Sequence, residues 1–291
     1  MEHSTIICPA CASEKNAVYL TVKDHFLSKE KFDLVLCDQC ELLFTHPRPT
    51  LDMIGNYYKS TDYVSHSSTK KGFVNSVYNL VRSYTLNKKI KLIKSLTNGR
   101  DLLDIGAGTG HFLGKAQQAG FQVTGLEPDD DARETAAKLN DVNLLPLTEL
   151  AHQLPASKDL ITMWHVLEHV YNLTDDVATI SSIVKQDGVF VVAVPNYTSY
   201  DAHYYKDFWA AYDVPRHLYH FSPKSIINLV ERFGFSHEQT LPMKFDSYYV
   251  SMLSEKYKGG NILNAIKTGF VSNRKAKTSQ WSSQIYIFRK K

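Results

Sequence analysis

The sequence predicts an α/β fold: a mostly parallel sheet flanked by helices, with a small metal-stapled ribbon ahead of it. Three observations lead there. From about residue 99 onward, short apolar strands alternate with helical segments. A glycine-rich turn follows the first of those strands. All four cysteines fall in two CxxC pairs within the first 40 residues.

The ribbon comes first. Cys8, Cys11, Cys37 and Cys40 form the two pairs, and the remaining 251 residues contain no cysteine. Tetrahedral zinc needs four thiolates converging at ~2.3 Å, and each CxxC turn can aim two of them at one point. KFDLVLCDQCELLF reads as strand, knuckle, strand. Two disulfides fit poorly in a chain expected to be cytoplasmic, and a redox CxxC belongs singly at a strand-to-helix junction. The expectation is a structural Zn2+, because four sulfur ligands leave no position for a water.

HPRPT then makes an extended linker, and Thr50 is placed to cap a short helix over LDMIGNYY. KSTDYVSHSSTKKG is polar and reads as a loop. Apolar residues return at helical spacing from Phe73 to Leu96, ending at Asn98-Gly99. Beyond Gly99, strands are expected at 101–105, 122–127, 142–146, 159–164 and 189–195, followed by a terminal antiparallel pair in GFSHEQTLP and SSQIYIFRK. The expected divisions are 1–46, 47–98 and 99–291: ribbon, linker with a helical cover, and sheet domain.

Composition narrows the partners. The chain has 291 residues with 33 basic and 30 acidic side chains, a net charge of +3. That balance argues against a nucleic acid or an anionic membrane as partner. Hydrophobic residues at 43% and charged residues at 22% exclude a disordered or fibrous chain. No apolar run nears the ~20 residues of a membrane span. An acid at position 2 and no apolar core behind it give no secretory signal, so a cytoplasmic location is expected.

The first sheet strand runs into DIGAGTGHFL. A dinucleotide fingerprint fails in both registers, since its third glycine would fall on His111 or Leu113. A phosphate-cradling P-loop fails too, with Thr109 and Ala116 at the wrong positions. What remains is DxGxGxG with an acid at the strand end, suited to a cationic ligand group. The second strand ends in Glu127, whose carboxylate can accept both hydrogen bonds of a ribose diol. A ribose, a positive amine and no phosphate describe S-adenosyl-L-methionine.

Here the chain resembles the class I S-adenosylmethionine-dependent methyltransferases. LLDIGAGTGHFL is similar to their first motif, GLEPD to the acidic motif after the second strand, and DLITMWHVLEHV and DGVFVVAVPN to the fourth- and fifth-strand segments. The resemblance covers 87–196 and implies a Rossmann-like, mostly parallel seven-stranded sheet with an antiparallel last strand. It implies that Asp104, Gly106, Ala107, Gly108 and Gly110 hold the methionine end, Glu127 the ribose, and Trp164 and His165 the far side. The acid expected near the adenine is not evident, although Thr148 and Glu149 lie in that region. The cysteine pairs before HPRPT also resemble the zinc-ribbon heads of some bacterial small-molecule and sugar methyltransferases.

Methyl transfer is an in-line displacement that often removes a proton from the acceptor. His165, Glu168 and His169 match the HxxEH string of a zinc-peptidase class, but their methyltransferase surroundings argue against that chemistry. A quinone-precursor O-methyltransferase family is similar over VLEHV and binds a divalent ion there. In this chain Glu168 and His169 are read first as a helix cap and a buried, hydrogen-bonded histidine. The aromatic stretch DFWAAYDVPRHLYHFSP follows the fifth strand and offers His217 and His220 as candidate bases. Packing of that stretch as a lid is the competing reading. The expected function is methylation of oxygen or carbon on a small molecule, sugar-like or natural-product-like. A nucleic-acid or protein modifier using the ribbon as a binding module is the alternative, although only SNRKAKT and FRKK are locally basic. Cofactor binding without turnover is a third.

Overall fold

The computed structural model describes residues 6–58, 73–277 and 280–291. The polar segment 59–72, read as a loop from the sequence, lies outside them. The first three strands, β1 (Asn16–Lys23), β2 (Lys31–Cys37) and β3 (Leu43–His46), form an antiparallel meander. The knuckle between β2 and β3 holds the second cysteine pair. A one-turn helix α1 (Leu51–Ile54) follows, where Thr50 occupies the cap position without a side-chain cap bond. The helical cover is α2 (Phe73–Leu96).

The main sheet begins with β4 (Asp101–Ile105), α3 (His111–Gln118), β5 (Gln122–Leu126), α4 (Asp130–Asn140), β6 (Lys158–Trp164), α5 (Leu173–Ile183) and β7 (Val184–Pro195). Leu102, Leu103 and Ile105 are buried, as is every residue from Gly188 to Pro195. Strands covered on both faces need such unbroken apolar runs. Each fully buried Val, Leu, Ile or Phe contributes roughly 1.5–3 kcal/mol by area. The chain continues through α6 (Tyr200–Tyr205), β8 (Tyr219–His220), α7 (Pro223–Glu231), β9 (Phe235–Pro242), α8 (Asp246–Lys258), α9 (Ile262–Lys275) and β10 (Ser283–Lys290).

The sheet order is β5-β4-β6-β7-β10-β9, and β10 alone runs against the others. The antiparallel terminal pair is therefore as the sequence suggested. Six strands form this sheet, where the sequence suggested seven. The segment 142–146 makes only one bridge, Leu126 to Leu145, before the chain leaves the sheet in a 3-10 turn at Leu147–His152. The order reverses at β4, with β5 on one side and β6 on the other. Open α/β sheets hold ligands beyond the strand ends at such a reversal.

The cysteine-bearing head does not stand apart. β3 pairs with β8, Leu43 opposite His220 and Phe44 opposite Tyr219, so a strand from the far half of the chain completes the small sheet. Cys8, Cys37, Leu42 and Phe44 share one core with Phe221, Ile226 and Val230. Helix α7, started by Pro223 and a Ser222–Ser225 capping box, forms the floor on which the head rests.

Candidate active site

The turn after β4 has Gly106, Gly108 and Gly110 at φ +71°, +54° and +76°, a region that disfavours side chains. Packing explains two of them. A Cβ on Gly106 would lie 2.4 Å from Val166 Cγ2, and one on Gly110 would lie 2.9 Å from the Ala136 Cβ. A Cβ on Gly108 would meet nothing within 4 Å. That open side adjoins Glu127, whose Oε2 accepts a hydrogen bond from Gly108 N at 2.8 Å and whose Oε1 accepts one from Asp129 N at 3.1 Å. Each carboxylate oxygen keeps a lone pair for a further donor. Burial pushes the Glu127 carboxyl upward. Ala107 donates its backbone N–H to Leu126 O and so closes the turn against β5.

Asp104, at the end of β4, is 2% exposed and accepts a hydrogen bond from Thr162 Oγ1 at 2.5 Å. Burial raises its pKa to about 7, against the opposing pull of Thr162 and Lys89. Lys89 descends from α2, and its Nζ stands 3.9 Å from the centroid of the Trp164 ring. Burial lowers Lys89 to about 8, partly offset by Asp104 and Asp246. Trp164 packs edge-on to Phe112, and its buried Nε1 has no hydrogen-bond partner among the described residues. Lys89 thus rests on the Trp164 face beside the Asp104 carboxylate, so one positive and one negative group stand together at the strand ends.

His165 follows β6 at φ +59° and is gripped at both ring nitrogens. Nε2 lies 2.9 Å from Asp246 Oδ2 and Nδ1 lies 3.3 Å from Glu168 Oε1. Burial opposes its charge, but the two carboxylates prevail and raise its pKa to about 10. Glu168 is fully buried, and the charge on His165 keeps it ionised below the usual range despite that burial. Its Oε2 has no partner among the described residues.

Two further histidines stand beside it. His169 Nδ1 lies 3.0 Å from the Arg216 carbonyl and 3.1 Å from Tyr58 Oη. His217 Nδ1 lies 2.9 Å from the Ala211 carbonyl. A carbonyl only accepts, so we assign the proton to Nδ1 in both rings and leave each Nε2 bare. Burial, reinforced by His217, lowers His169 to about 4. The two rings meet edge-on at 4.5 Å. Glu168, His169 and His217 each offer one ligand atom within 4.8 Å of the others.

His220 comes next, its ring centroid 6.4 Å from that of His217 but outside the Glu168, His169 and His217 cluster. It is buried in the seam between head and sheet domain, with Nε2 3.1 Å from Thr45 Oγ1, and burial holds its pKa well below the ordinary value. Trp209 and Tyr212 are buried against Val22, Phe32 and Leu34 of the head, so those rings serve packing. Arg216 is 1% exposed and pairs with Asp24 and Asp213. Where the family resemblance implies an adenine contact, Thr148 is exposed and Glu149 Oε2 lies 3.3 Å from His152 Nδ1.

The four cysteines converge as their spacing suggested. Their sulfurs lie within 4.8 Å of one another, with Cys8–Cys40 at 3.6 Å and Cys11–Cys37 at 3.5 Å. A disulfide would need ~2.05 Å. Thiolates at ~2.3 Å from one tetrahedral centre stand ~3.8 Å apart, so the cluster matches a zinc shell in size and donor type. A hydrogen bond from the Cys40 thiol lowers Cys8 to about 5.

Comparison with known proteins accords with this geometry. A family model described as a methyltransferase domain matches residues 78–240, more than half of the chain. The chain belongs to that methyltransferase family. A relative from Mycolicibacterium smegmatis named "Probable S-adenosylmethionine-dependent methyltransferase" is 26% identical over 57% of this chain and 63% of its own. The ubiquinone biosynthesis O-methyltransferase of Rickettsia typhi is 26% identical over 48% of this chain and 60% of its own. The chain thus spans about three-fifths of the length of these curated relatives. Magnesium protoporphyrin IX methyltransferase from Synechocystis PCC 6803, solved with bound S-adenosylhomocysteine, superposes with a TM-score of 0.55. That alignment covers 83% of this chain and 100% of the other at 15% identity. A methyltransferase from Archaeoglobus fulgidus gives 0.51 at 19% identity, covering 72% and 94%. At those identities the likeness establishes the class I methyltransferase fold.

Proposed function

We propose that this methyltransferase uses S-adenosylmethionine to methylate oxygen, or an activated carbon, on a small-molecule acceptor. The observation that carries the reading is the open side of Gly108 beside Glu127, in the turn after the strand that carries Asp104, with Lys89 resting on the Trp164 face. Glu127 would accept the ribose hydroxyls. Asp104 and Lys89 would take the ammonium and carboxylate of the methionine end, while the glycine turn admits the ligand against its backbone. The cofactor supplies an electrophilic methyl group on a sulfonium.

The chain's own part is alignment and proton removal. His217 Nε2 is the proposed general base, accepting the acceptor's proton and releasing it to solvent. His165, held charged by Asp246 and Glu168, provides a fixed cation that stabilises negative charge on the acceptor atom. Relatives named ubiquinone biosynthesis O-methyltransferases support an oxygen acceptor on a small molecule. The four cysteines would hold a structural zinc, since a complete thiolate shell has no open position. Incubation with S-adenosylmethionine and a panel of catechols, phenols and nucleotide sugars tests the assignment. S-adenosylhomocysteine should form with one acceptor class, and its absence with all of them would favour a cofactor-binding protein without turnover.

The unpartnered Glu168 Oε2 favours a second reading, in which Glu168, His169 and His217 hold a divalent cation that polarises the acceptor. His217 would then be a ligand and could not act as base. Activity abolished by EDTA and restored by Mg2+ or Mn2+ would select it.

A further inference from the structure

Helix α9 turns an apolar surface to solvent. Ile262, Leu263, Ile266 and Phe270 are 54%, 75%, 52% and 53% exposed. At 100° per residue they fill one arc of about 100°. Lys267 and Arg274 follow on the next arc. The third side is buried and built of small residues, Ala265, Thr268, Gly269 and Ser272, packed on α8. A Cβ on Gly269 would sit 2.9 Å from the Tyr248 Cα, so the two helices touch closely here. This contact fixes the helix rotation, and the apolar arc cannot turn inward. Phe245, which caps α8, and Tyr249 and Met252 within it are exposed on the same hairpin.

The charge around this surface is one-sided. Residues 256–291 carry nine Lys and Arg and no Asp or Glu. The net charge of +3 that argued against a membrane partner averages this end with a more acidic remainder. An amphipathic helix with an apolar arc flanked by cations is the pattern of a segment lying in a bilayer interface, its apolar side ~5–10 Å deep. No helix among the described residues is long and apolar enough to cross a membrane.

We propose that the α8–α9 hairpin docks this protein on an anionic lipid bilayer, with Leu263, Ile266 and Phe270 in the interface and Lys267 and Arg274 at the headgroups. Charge selects this occupant over a second copy of the chain. A two-fold contact would bring two copies of this cationic rim together, and the acids of the hairpin, Asp246 and Glu255, are already engaged by His165 and Tyr205. The hairpin begins at Asp246, the partner of His165, so the docking surface and the candidate site share an element.

Co-sedimentation of the full chain with vesicles tests this directly. Phosphatidylcholine vesicles should leave the protein in the supernatant, and vesicles with about one-third phosphatidylglycerol should carry it down, less so as salt rises. Leu263→Ser with Phe270→Ser should weaken binding by about tenfold or more, as should Lys267→Glu with Arg274→Glu. All four side chains are solvent-facing, and circular dichroism should report unchanged folding in both variants. Wild-type protein that ignores anionic vesicles overturns the proposal, and so does binding that neither variant alters. A dimer broken by Leu263→Ser and Phe270→Ser, without vesicle binding, would make the surface a self-association face and overturn it as well.

Discussion

Arg216 reaches from the segment after β7 into the cysteine-bearing head, where its Nη2 lies 2.9 Å from Asp24 Oδ1. The same guanidinium holds Asp213, and the Arg216 carbonyl faces His169. One buried residue therefore ties together the head, the aromatic segment and the histidine cluster. Asp24 is equally buried and also accepts backbone hydrogen bonds from Phe26, Leu27 and Ser28. Fold and site meet at this pair.

Arg216→Met should be costly, because it leaves Asp24 buried without its counter-charge. Breaking such a pair costs about 3–5 kcal/mol, and thermal unfolding should report a drop of roughly 10 °C. Burial opposes the Asp24 charge, but Arg216 and the backbone donors lower its pKa to about 2. A carboxylate with a depressed folded pKa stabilises the fold fully above about pH 4, and that stability is lost as pH falls toward 2. The variant should lack this part of the acid transition. An unchanged acid profile would mean that Asp24 contributes little.

Two glycines of the turn should respond differently to substitution. Gly108→Val adds a side chain to open space, at a strain of roughly 1–2 kcal/mol for φ +54°. It should abolish S-adenosylhomocysteine binding in calorimetry while the protein stays folded. Gly106→Ala meets Val166 and should lower thermal stability as well. Retained affinity in Gly108→Val would sink the cofactor assignment.

The opposed charges of Asp104 and Lys89 predict a pH window for the cofactor. Below about pH 7 Asp104 protonates and loses an ammonium, and above about pH 8 Lys89 loses its charge and with it a carboxylate. S-adenosylhomocysteine should bind best between these limits. Lys89→Met should remove the alkaline fall and weaken binding about tenfold, the scale of one charge-assisted hydrogen bond. Methylthioadenosine, which lacks the amino-acid end, should bind Lys89→Met and wild type alike. Tighter binding to the variant would show that Lys89 competes for the site.

Metal analysis should find one zinc per chain. Cys37→Ser should lose it and, because Cys37 shares a core with Phe221 and Ile226, should speed hydrogen exchange in β8 as well as in the head. Metal-free protein with four titratable thiols would rule the zinc out.

What was legible in the sequence was local. The glycine turn, Glu127 and the cysteine knuckles are encoded by spacing within one or two elements. Lys89 and Asp246 were not legible: one sits mid-helix and the other opens α8, and neither belongs to a motif. Only tertiary packing brings them to Trp164 and His165. Asp24 was hidden for the same reason, since its partner lies at the other end of the chain. The aromatic stretch 207–223 misled in part because composition cannot tell a pocket wall from an interface. Trp209 and Tyr212 pack against a head that the sequence suggested as a separate unit.

The two histidines of that stretch should separate in experiment. His217 is half-buried beside Glu168 and His169, with its Nδ1 proton directed to the Ala211 carbonyl and its Nε2 free to accept. His220 is buried at the seam, bonded to Thr45. His217→Asn should keep cofactor affinity and lower turnover by ~10²–10⁴, the usual range for losing a general base. The residual rate should rise with pH as the acceptor ionises unaided. His220→Asn should act mainly on stability, because its amide replaces a ring packed 5.4 Å from Tyr212. If His217→Asn instead abolishes a Mg2+ dependence present in the wild type, His217 is a ligand and the divalent reading prevails. Equal and small losses at both positions would mean that the segment only closes the site and that the base lies elsewhere.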